Sequence, residues 1–507
     1  MKGRLWLEGC GAGILFTLAY TWFHISPLHT DLYHRALPLN TVYWGVAIDL
    51  AVVCLLFTLI FWLLDKYDGA GRTLWWLLLG GVLAARTAAG LAVAGLIGYR
   101  IATPTRVFLA AGAAGMLLWV VRRGWFSAAV RSGRFVLLLL GFAIFWMLPE
   151  LVYMAVKGEP RDAVSYVRST SGDSIPERRI IWVLFDELSY DQVFAHREAD
   201  IRLPNFDRFA SESVSFSDVQ PVGYYTELII PSLLWGQQIE QERSDCAGRA
   251  AVRTAGGWQA YPADQTLFAD AKRAGLAAGA AGWYIPYCRT YAQELDWCEM
   301  VLGSPLPGNY EPERSVMWNI LAPVSKPLAR LAGLRITQPT TAEDHAEQYE
   351  KLMDAGRRMI GDERIGFMFI HLPAPHPGGF YDRHTARLGV KGSYLDNLVL
   401  SDAAMGELMQ WVGESPAAAR TTVIVSSDHS WRVGMWKISP MWTAEDARVS
   451  QGRFDPRPVL MVRFPGSASG ARIDAAFPEL RTHELIEQMI AGKIGSNADL
   501  AKWVGKN

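Results

Sequence analysis

The sequence lacks an excess of charge of either sign and contains no low-complexity tract or internal repeat. Its 507 residues include 49 basic and 50 acidic side chains, which give a formal net charge of −1. This balance argues against a protein that binds nucleic acid through a basic surface. Half of the residues are hydrophobic, so a disordered chain and a collagen-like chain are excluded as well.

Charged residues are scarce in the first 157 positions. Only nineteen occur there, thirteen basic and six acidic. The remaining 350 residues are about one-quarter charged, which is usual for a water-soluble domain. We therefore predict a membrane-spanning region over residues 1–157, a polar linker over 158–177 and a soluble domain over 178–507.

Four segments of the first region have roughly the 20 mostly apolar residues that a bilayer-spanning helix needs, although one is short. They are residues 41–64, 74–98, 107–121 and 135–156. A fifth segment, residues 5–25, is weaker because it carries Glu8. A cleaved signal peptide is the alternative for this segment, but no clear small-x-small cleavage site follows it. We predict a bundle of five transmembrane helices.

The basic residues of the predicted loops indicate the orientation. With the N-terminus inside, the inner loops hold eight basic residues and the outer loops three. Because inner loops are enriched in Lys and Arg, this topology places everything after residue 156 outside the cytoplasm. Arg86 lies within the third predicted helix, where an unpaired charge is costly. We expect it to snorkel, to pair within the bundle or to contact a lipid phosphate.

The five cysteines follow the same division. Cys10 and Cys54 lie in predicted membrane helices. Cys246, Cys288 and Cys298 lie in the outer part, where disulfides persist. The spacing of ten residues favours a pair between Cys288 and Cys298, with Cys246 left over. A cysteine metal site is less expected because no C-x-x-C spacing is present.

Short apolar segments alternate with helical segments after the linker. The strand candidates, rich in Val, Ile or Phe, are residues 180–185, 365–371, 421–426 and 458–464. Such runs are typical of strands buried on both faces. Helices are predicted over residues 264–274, 342–359, 395–412 and 482–491. The alternation predicts an α/β fold with a mostly parallel central sheet flanked by helices.

Polar residues follow the predicted strands directly: Asp186 and Glu187 the first, His371 the second, and Asp428 and His429 the third. In such sheets ligands bind beyond the carboxyl ends of the strands. Each residue alone is equally well explained as a helix cap or a surface histidine. Together they favour a divalent metal site.

Thr226 lies at the start of a predicted helix, in GYYTELIIPSLLWG. A helix N-terminus offers free N–H groups and the positive end of a dipole, which suit an anionic group such as phosphate. The alternative is that Thr226 is simply an N-cap, and the local pattern alone favours the cap.

Five segments occur in an order that resembles the alkaline-phosphatase/sulfatase superfamily. They are WVLFDELSYD, the T-x-x-x-x-P-S-L-L-x-G run, FIHLPAPHPGGFYD, SYLDNLVLSD and VIVSSDHSW. With five membrane helices ahead of them, they are similar to the lipid A phosphoethanolamine transferases and the lipoteichoic acid synthases. The resemblance implies one metal ion held by Asp186, Thr226, Asp428 and His429, with Glu187 as a further ligand. These ligands suit zinc, manganese or magnesium, and calcium less.

The nucleophile position distinguishes the branches of the superfamily. Sulfatases form formylglycine within C/S-x-P-x-R, but here Ile229 and Leu233 occupy the Cys/Ser and Arg positions. A Thr five residues before Pro231 instead resembles the transferases. The transferases usually carry another His a dozen residues beyond their Asp-His pair, and this sequence has none. Lys437 looks more like the anion-binding Lys of sulfatases.

The resemblance implies that Thr226 attacks a phosphodiester and forms a phospho-threonine. His371 and His376, which bracket the LPAP turn, would contact the phosphoryl group or protonate the leaving alcohol. A rigid loop with surface histidines is the alternative for these two residues. Lys437 would hold a non-bridging oxygen, or be an ordinary solvated lysine. In the family pattern a structural or supporting role is expected for Asp396 and Asn397.

We therefore expect a monomeric, integral inner-membrane enzyme with a periplasmic or extracellular catalytic domain. It would move phosphoethanolamine or phosphoglycerol from a lipid donor to an envelope lipid or glycan. One alternative is a membrane-bound hydrolase of phosphate, phosphonate or sulfate esters. The other is a catalytically degenerate scaffold or sensor.

Overall fold

A computed structural model of the chain provides the structure. It describes residues 2–25, 39–66, 70–93, 124–157, 165–168, 175–244, 250–301, 341–439 and 441–505. The predicted helix 107–121, most of the predicted linker and Cys246 lie outside the described residues.

The described part of the N-terminal region is helical: α1 Lys2–Ile25, α2 Leu39–Lys66, α3 Ala70–Val93, α4 Phe126–Gly141 and α5 Ile144–Lys157. Within it, the stretches Tyr43–Lys66 and Phe126–Lys157 are long and apolar enough to cross a membrane. The bundle of five spanning helices therefore stays a prediction. The predicted single span 135–156 is divided between α4 and α5, which are separated at residues 142–143.

Charged side chains connect these helices at two places. The buried Glu8 accepts a hydrogen bond from Nε of Arg134 at 2.6 Å, and Nη1 of Arg134 donates to Asp65 at 2.6 Å. This network joins α1, α2 and α4. Arg86 donates to the backbone carbonyl of Phe16 at 3.0 Å, and its guanidinium lies 5.1 Å from the centre of the Phe16 ring. Arg86 thus contacts α1 within the bundle, and its contact with a lipid phosphate stays a prediction.

The rest of the chain is an α/β domain. Its strands are β1 Ser165–Val167, β2 Arg179–Phe185, β3 Val214–Phe216, β4 Val219–Gln220, β5 Gln241–Ser244, β6 Ala250–Thr254, β7 Gly257–Ala260, β8 Ala277–Trp283, β9 Trp297–Val301, β10 Ile365–Leu372, β11 Gly379–Asp382, β12 Arg387–Gly392, β13 Thr421–Ser427, β14 Leu460–Arg463, β15 Ala471–Ile473 and β16 Phe477–Pro478. Its α-helices are α6 Pro204–Ser211, α7 Thr226–Trp235, α8 Leu267–Arg273, α9 Tyr287–Thr290, α10 Thr341–Gly361, α11 Tyr394–Glu414, α12 Val433–Trp436, α13 Ala444–Ser450, α14 Arg481–Ile490 and α15 Asn497–Val504.

Within the described residues, nine strands form the central sheet, in the order β1-β9-β8-β10-β2-β13-β14-β3-β15. The pairs from β9 to β13 are parallel, whereas β14 runs antiparallel to both β13 and β3, and β1 runs antiparallel to β9. The sheet is therefore mixed: its central strands are parallel, and antiparallel strands occur towards both edges. The prediction of a mostly parallel sheet holds for the centre of the sheet and not for its edges. The predicted strand 458–464 is the first of these antiparallel strands.

The side chains of β2 alternate between two cores, as a strand covered on both faces requires. Ile181, Val183 and Phe185 face the core that contains residues of α6, α10 and α11. Ile180, Trp182 and Leu184 face the core that contains residues of α7, α8 and α14. Helices on both faces leave the carboxyl ends of the parallel strands as the open edge of the layer.

Five strands of the sheet were not predicted: β1, β3, β8, β9 and β15. The sequence of β8 is AAGAAGW, and Ala and Gly have low strand propensity. Small residues are needed there because the Tyr287 ring occupies the space where a Cβ at Gly282 would lie. The short strand β1 falls within the predicted linker, where Tyr166 packs against the domain core. The predicted disulfide between Cys288 and Cys298 is confirmed, and it joins α9 to β9.

Candidate active site

Three neighbouring parallel strands deliver polar residues to one edge of the sheet. In the register of the sheet, Phe185 at the end of β2 pairs with Leu372 of β10 and with Ser427 of β13. Asp186 and Asp428 come one residue after β2 and β13, and His371 is the penultimate residue of β10. All three side chains are buried. The polar residues that the sequence places at the strand ends therefore lie close together in the structure.

Thr226 is the first residue of α7, and its side chain points at this edge. Its hydroxyl donates to Oδ2 of Asp428 at 2.7 Å and lies 3.1 Å from Nε2 of His429. The residue is only 3% exposed. The N-cap of the helix is Tyr225, and no side-chain cap bond is formed. Thr226 therefore does not act as the N-cap, and its hydroxyl is committed to the strand-end residues.

Asp186 carries a polar atom that the described residues leave unsatisfied. Its Oδ1 is buried, has no hydrogen-bond partner and lies 3.9 Å from Nε2 of His429. Burial, together with the nearby charge of Asp428, raises the pKa of Asp186 to about 6. A buried carboxylate oxygen without a partner is costly. Its presence indicates that a cation belongs at this position.

The Asp428 carboxylate also stabilises a positive charge beside it, that of His429. Burial disfavours the imidazolium, but the Asp428 carboxylate prevails and raises the pKa of His429 to about 9. Burial likewise opposes the Asp428 carboxylate, and the charge of His429 overcomes it and lowers the pKa of Asp428. The Nδ1 of His429 lies 3.1 Å from the carbonyl of Ser430, which directs Nε2 towards Thr226 and Asp186.

Asp186, Asp428 and His429 each offer one donor atom, and these atoms lie within 4.8 Å of one another. Two carboxylates and an imidazole are ligands that zinc and manganese accept in proteins. Together with the unpartnered Oδ1 of Asp186, this donor set fits one divalent metal ion. The hydroxyl of Thr226 is positioned to complete the set.

Glu187 has different partners. Its Oε1 accepts hydrogen bonds at 2.7 Å from Nε of Arg432 and from Nε1 of Trp436, and its Oε2 accepts from the backbone N–H of Arg432 at 3.2 Å. One donor atom of Glu187 also lies within 4.8 Å of donor atoms of Asp186 and His376. The structure therefore groups the Glu187 side chain with Arg432 and His376, whereas the Glu187 backbone N–H donates to Oδ1 of Asp428 at 3.1 Å.

The two predicted histidines have unlike surroundings. His371 is fully buried, and both of its ring nitrogens are engaged: Trp283 donates to Nε2 at 3.1 Å, and the Tyr287 hydroxyl lies 2.8 Å from Nδ1. The Nδ1 of His376 is buried without a partner among the described residues. Burial and the charge of Arg432 hold the pKa of His376 well below its usual range, so its imidazole is neutral.

Asparagine and aspartate at the start of α11 support the loop that carries His376. Asn397 donates to the backbone carbonyl of His376 at 2.9 Å and accepts from the N–H of Phe380 at 3.1 Å. Asp396 forms a capping box with Ser393 and pairs with Arg383. Both residues therefore have the supporting role that the family pattern implies.

Lys437 lies outside this set of contacts. It follows α12 directly and is exposed to solvent. The described residues include no hydrogen bond or ion pair of its side chain. The proposed contact of Lys437 with a substrate oxygen stays a prediction.

Sequence reasoning missed the residues that hold this site together. Arg432 directly follows the VIVSSDHSW segment, and its position three residues after His429 was the available signal. Trp436, Trp283 and Tyr287 gave no such signal, because aromatic residues are common in any core. Tyr287 reaches His371 from α9, through a packing that only the fold reveals.

The fold and the site together define an α/β domain in which the Thr226 hydroxyl lies beside a group of strand-end residues that could hold a metal ion. Comparison with known proteins gives the family. The Sulfatase family model matches residues 178–468, which is more than half of the chain. The chain therefore belongs to the Sulfatase family and is a sulfatase-like enzyme of the alkaline-phosphatase/sulfatase superfamily.

Several solved structures are similar to the domain. The phosphonate monoester hydrolase of Agrobacterium radiobacter has 15% identity, covers 62% of this chain and 74% of its own, and gives a TM-score of 0.39. The phosphonate monoester hydrolase from Silicibacter pomeroyi has 15% identity, coverages of 64% and 74% and a TM-score of 0.36. An alkaline phosphatase superfamily protein from Vibrio parahaemolyticus has 14% identity, coverages of 64% and 68% and a TM-score of 0.35. No curated protein matches the chain.

Proposed function

We propose that the chain is a metal-dependent phosphoryl-group transferase with Thr226 as its nucleophile. The observation that carries the proposal is the position of the Thr226 hydroxyl, 2.7 Å from Oδ2 of Asp428 and 3.1 Å from Nε2 of His429. A hydroxyl that only stabilised a helix would face its own backbone N–H groups. This hydroxyl instead faces the groups that can activate it.

The first step follows from these contacts. Asp428 orients the Thr226 hydroxyl and accepts its proton. Oγ1 of Thr226 forms a bond to phosphorus as the bond to the leaving oxygen breaks, and the leaving oxygen takes up a proton to become an alcohol. When bound by Asp186, Asp428, His429 and Thr226, a divalent ion supplies the positive charge that lowers the hydroxyl pKa and neutralises the phosphoryl oxygens. The product of this step is a phospho-threonine and an alcohol.

His371 and His376 have different roles in the proposed reaction. His371 orients the site from within the core, because Trp283 and Tyr287 occupy both of its ring nitrogens. The Nδ1 of His376 has no partner among the described residues, so we assign to it the hydrogen bond to the leaving alcohol or the incoming acceptor. A neutral imidazole suits this positioning role.

The apolar helices support a lipid-linked substrate. The stretches Tyr43–Lys66 and Phe126–Lys157 can hold the catalytic domain at a membrane, and an enzyme acting on soluble esters gains nothing from such an anchor. We infer a donor lipid that carries a phospho-alcohol, and an envelope lipid or glycan as acceptor, at the outer face of the membrane.

One observation favours hydrolysis as the second candidate. The transferases that this chain resembles usually carry a further His a dozen residues beyond the Asp-His pair, and the next His here is His483. In this alternative, water completes turnover on phosphate, phosphonate or sulfate esters. The first step at Thr226 is common to both candidates, and only the acceptor differs.

Intact-protein mass spectrometry tests the covalent step. Protein purified from cells should carry the mass of a phosphoethanolamine or phosphoglycerol group on Thr226, and the Thr226→Ala variant should lack it. Turnover of a small phosphodiester should fall by about three orders of magnitude or more in that variant. A Thr226 that stays unmodified during turnover, trapped by acid quench, would contradict the covalent scheme.

Comparison of envelope lipids and glycans from cells with the wild-type enzyme or with Thr226→Ala identifies the acceptor. A component that loses a phospho-alcohol group supports transfer. Unchanged envelope components together with Thr226-dependent cleavage of soluble esters would establish the hydrolase instead.

A further inference from the structure

Arg432 connects three chain segments that build the active site. Its guanidinium is buried, with the residue 4% exposed. Nε donates to Oε1 of Glu187 at 2.7 Å, and Nη1 donates to the backbone carbonyl of Tyr224 at 3.1 Å. Arg432 thus joins the segment after β13, the end of β2 and the loop that leads into Thr226. A residue held in this way has a fixed position relative to the nucleophile.

Glu187 is committed to holding this arginine. Its carboxylate takes three hydrogen bonds, all from the segment 432–436. Its backbone has a φ of 64°, in the left-handed region that a non-glycine residue adopts at a cost. Its carbonyl accepts from the Tyr394 hydroxyl at 2.7 Å, which helps to maintain this conformation. The strained turn directs the Glu187 side chain towards Arg432 and Trp436.

Arg432 retains donors for a further partner. Of the five N–H groups of a guanidinium, Nε–H and one on Nη2 engage Glu187 and one on Nη1 engages Tyr224. Two N–H groups remain without a partner in the part of the chain that the structure describes. A planar donor fixed to the loop that leads into Thr226 suits the equatorial oxygens of a tetrahedral phosphoryl or sulfuryl group.

We propose that Arg432 is the anion-binding residue of the active site and that Glu187 is a positioning residue that holds it, not a metal ligand. The site then presents one metal ion and one fixed guanidinium to the substrate oxygens. The exposed Lys437 is not required for this role. The inference rests on the proposed chemistry at Thr226 but holds equally for transfer and for hydrolysis.

Inorganic tungstate, a tetrahedral oxyanion, tests the proposal without turnover. Its affinity for the full-length purified protein is measured by titration calorimetry, and the metal content per chain by elemental mass spectrometry. In Arg432→Gln the tungstate Kd should rise about 10- to 100-fold, the equivalent of losing a charge-assisted hydrogen-bonding pair. In Glu187→Gln it should rise by about 3- to 10-fold, and metal content should stay at the wild-type value in both variants. The matched control is Arg472→Gln, an exposed arginine paired with Asp474, which should leave both quantities unchanged.

Removal of Arg432 leaves the buried Glu187 carboxylate unpaired, which can unfold the site. The double variant Glu187→Gln/Arg432→Gln removes both charges and restores electrical balance, and it should show the same weakened tungstate binding with normal metal content. Loss of metal in Glu187→Gln would overturn the role of Glu187. Tungstate affinity within twofold of wild type in the double variant would overturn the role of Arg432. Neither result depends on whether Thr226 becomes phosphorylated, so failure here is distinct from failure of the proposed function.

Discussion

Strand β2 begins with one buried charged residue and is followed by another, and the two differ in how their polar atoms are satisfied. At the amino end, Arg179 is fully buried and donates to the backbone carbonyls of Ile360, Asp362 and Ile365 at 2.6, 2.9 and 3.1 Å. At the carboxyl end, Asp186 is equally buried, but its Oδ1 has no partner among the described residues. The same strand thus carries a closed polar network at one end and an open one at the other.

This difference distinguishes a buried charge that stabilises the fold from a buried charge that can bind a ligand. Arg179 satisfies the carbonyls at the end of α10, so its charge stabilises the fold and leaves nothing to bind a ligand. The carboxyl end has atoms of Asp186 and His376 that the described residues leave unsatisfied. Two such costly groups beside a set of candidate metal donors favour a ligand-binding site. A buried charged residue is therefore not by itself a sign of the active site. A buried charged residue whose polar atoms are incompletely hydrogen-bonded is such a sign.

The largest expected effect is at the open end. Asp186→Asn removes one of the carboxylates that can hold the metal ion, so activity should fall by about two to four orders of magnitude and metal content should fall with it. The same change relieves the repulsion between Asp186 and Asp428, so the metal-free variant should be at least as stable as metal-free wild type. Assays of turnover, metal content and thermal unfolding measure the three quantities.

The control for this prediction is Asp474→Asn, at an exposed residue paired with Arg472. It should leave turnover and metal content unchanged. An Asp186→Asn variant that is markedly less stable than wild type without metal would show that the carboxyl end is closed after all.

At the amino end of β2, where the polar network is closed, we expect a loss of stability without a loss of metal. Arg179→Met leaves several buried carbonyls without donors, so the free energy of unfolding should fall by about 3–5 kcal/mol. Metal content per folded chain should not change, because Arg179 lies at the far end of β2 from the site. Denaturant titration of the purified protein, followed by tryptophan fluorescence, measures the loss.

Arg364→Met is the matched control, because Arg364 is half-exposed and its ion pair with Asp362 lies at the surface. Its effect should stay below about 1 kcal/mol. Equal losses in the two variants would mean that the buried network at Arg179 contributes no more than a surface pair.

These two ends also show how far the sequence could predict the molecule. Asp186, Asp428 and His429 were identified because they directly follow apolar strands, and strand ends in an open α/β sheet share one edge. Thr226 lies at a predicted helix start, but that pattern alone favoured an N-cap, and the resemblance to the superfamily is what pointed to it as the nucleophile. Arg432 was missed, since its role depends on a contact with Glu187 across 245 residues of chain.

The fold was predictable where apolar patterning was strong. The helices around residues 342–359 and 395–412 are present as α10 and α11. Strand β8 was missed because its alanines and glycines have little strand propensity, and their small size is required by the packing of Tyr287 against the sheet. The antiparallel direction of β14 is set by chain topology and not by any local pattern.

A smaller effect is expected where aromatic residues support the open end. Tyr287→Phe removes the hydroxyl that lies 2.8 Å from Nδ1 of His371. The buried nitrogen then loses its partner, so the protein should lose about 1–3 kcal/mol of stability. Turnover should fall by about 3- to 10-fold, because His371 no longer has a fixed orientation beside Asp186.

Tyr166→Phe is the matched control, because the Tyr166 hydroxyl is buried without a hydrogen-bond partner in the described part of the chain. Its removal should not lower stability. A Tyr287→Phe variant that behaves like Tyr166→Phe in both stability and turnover would show that the Tyr287 contact carries no positional role.

The smallest effect concerns acid stability near the loop of His376, where a closed network supports the open site. Arg383 lowers the pKa of Glu445 from 4.5 to about 2. A lowered carboxyl pKa contributes stability that is fully present above the ordinary value and is lost as the pH falls from about 4.5 towards 2. Glu445 is partly exposed, so after solvent screening this contribution should be on the order of 1 kcal/mol.

In Glu445→Gln, the decline in unfolding free energy between pH 5 and about 2.5 should be shallower by that amount. Glu347→Gln, in an exposed pair with Lys351, is the control and should keep the wild-type slope. A Glu445→Gln slope equal to that of wild type would show that the Arg383 contact does not couple folding to protonation.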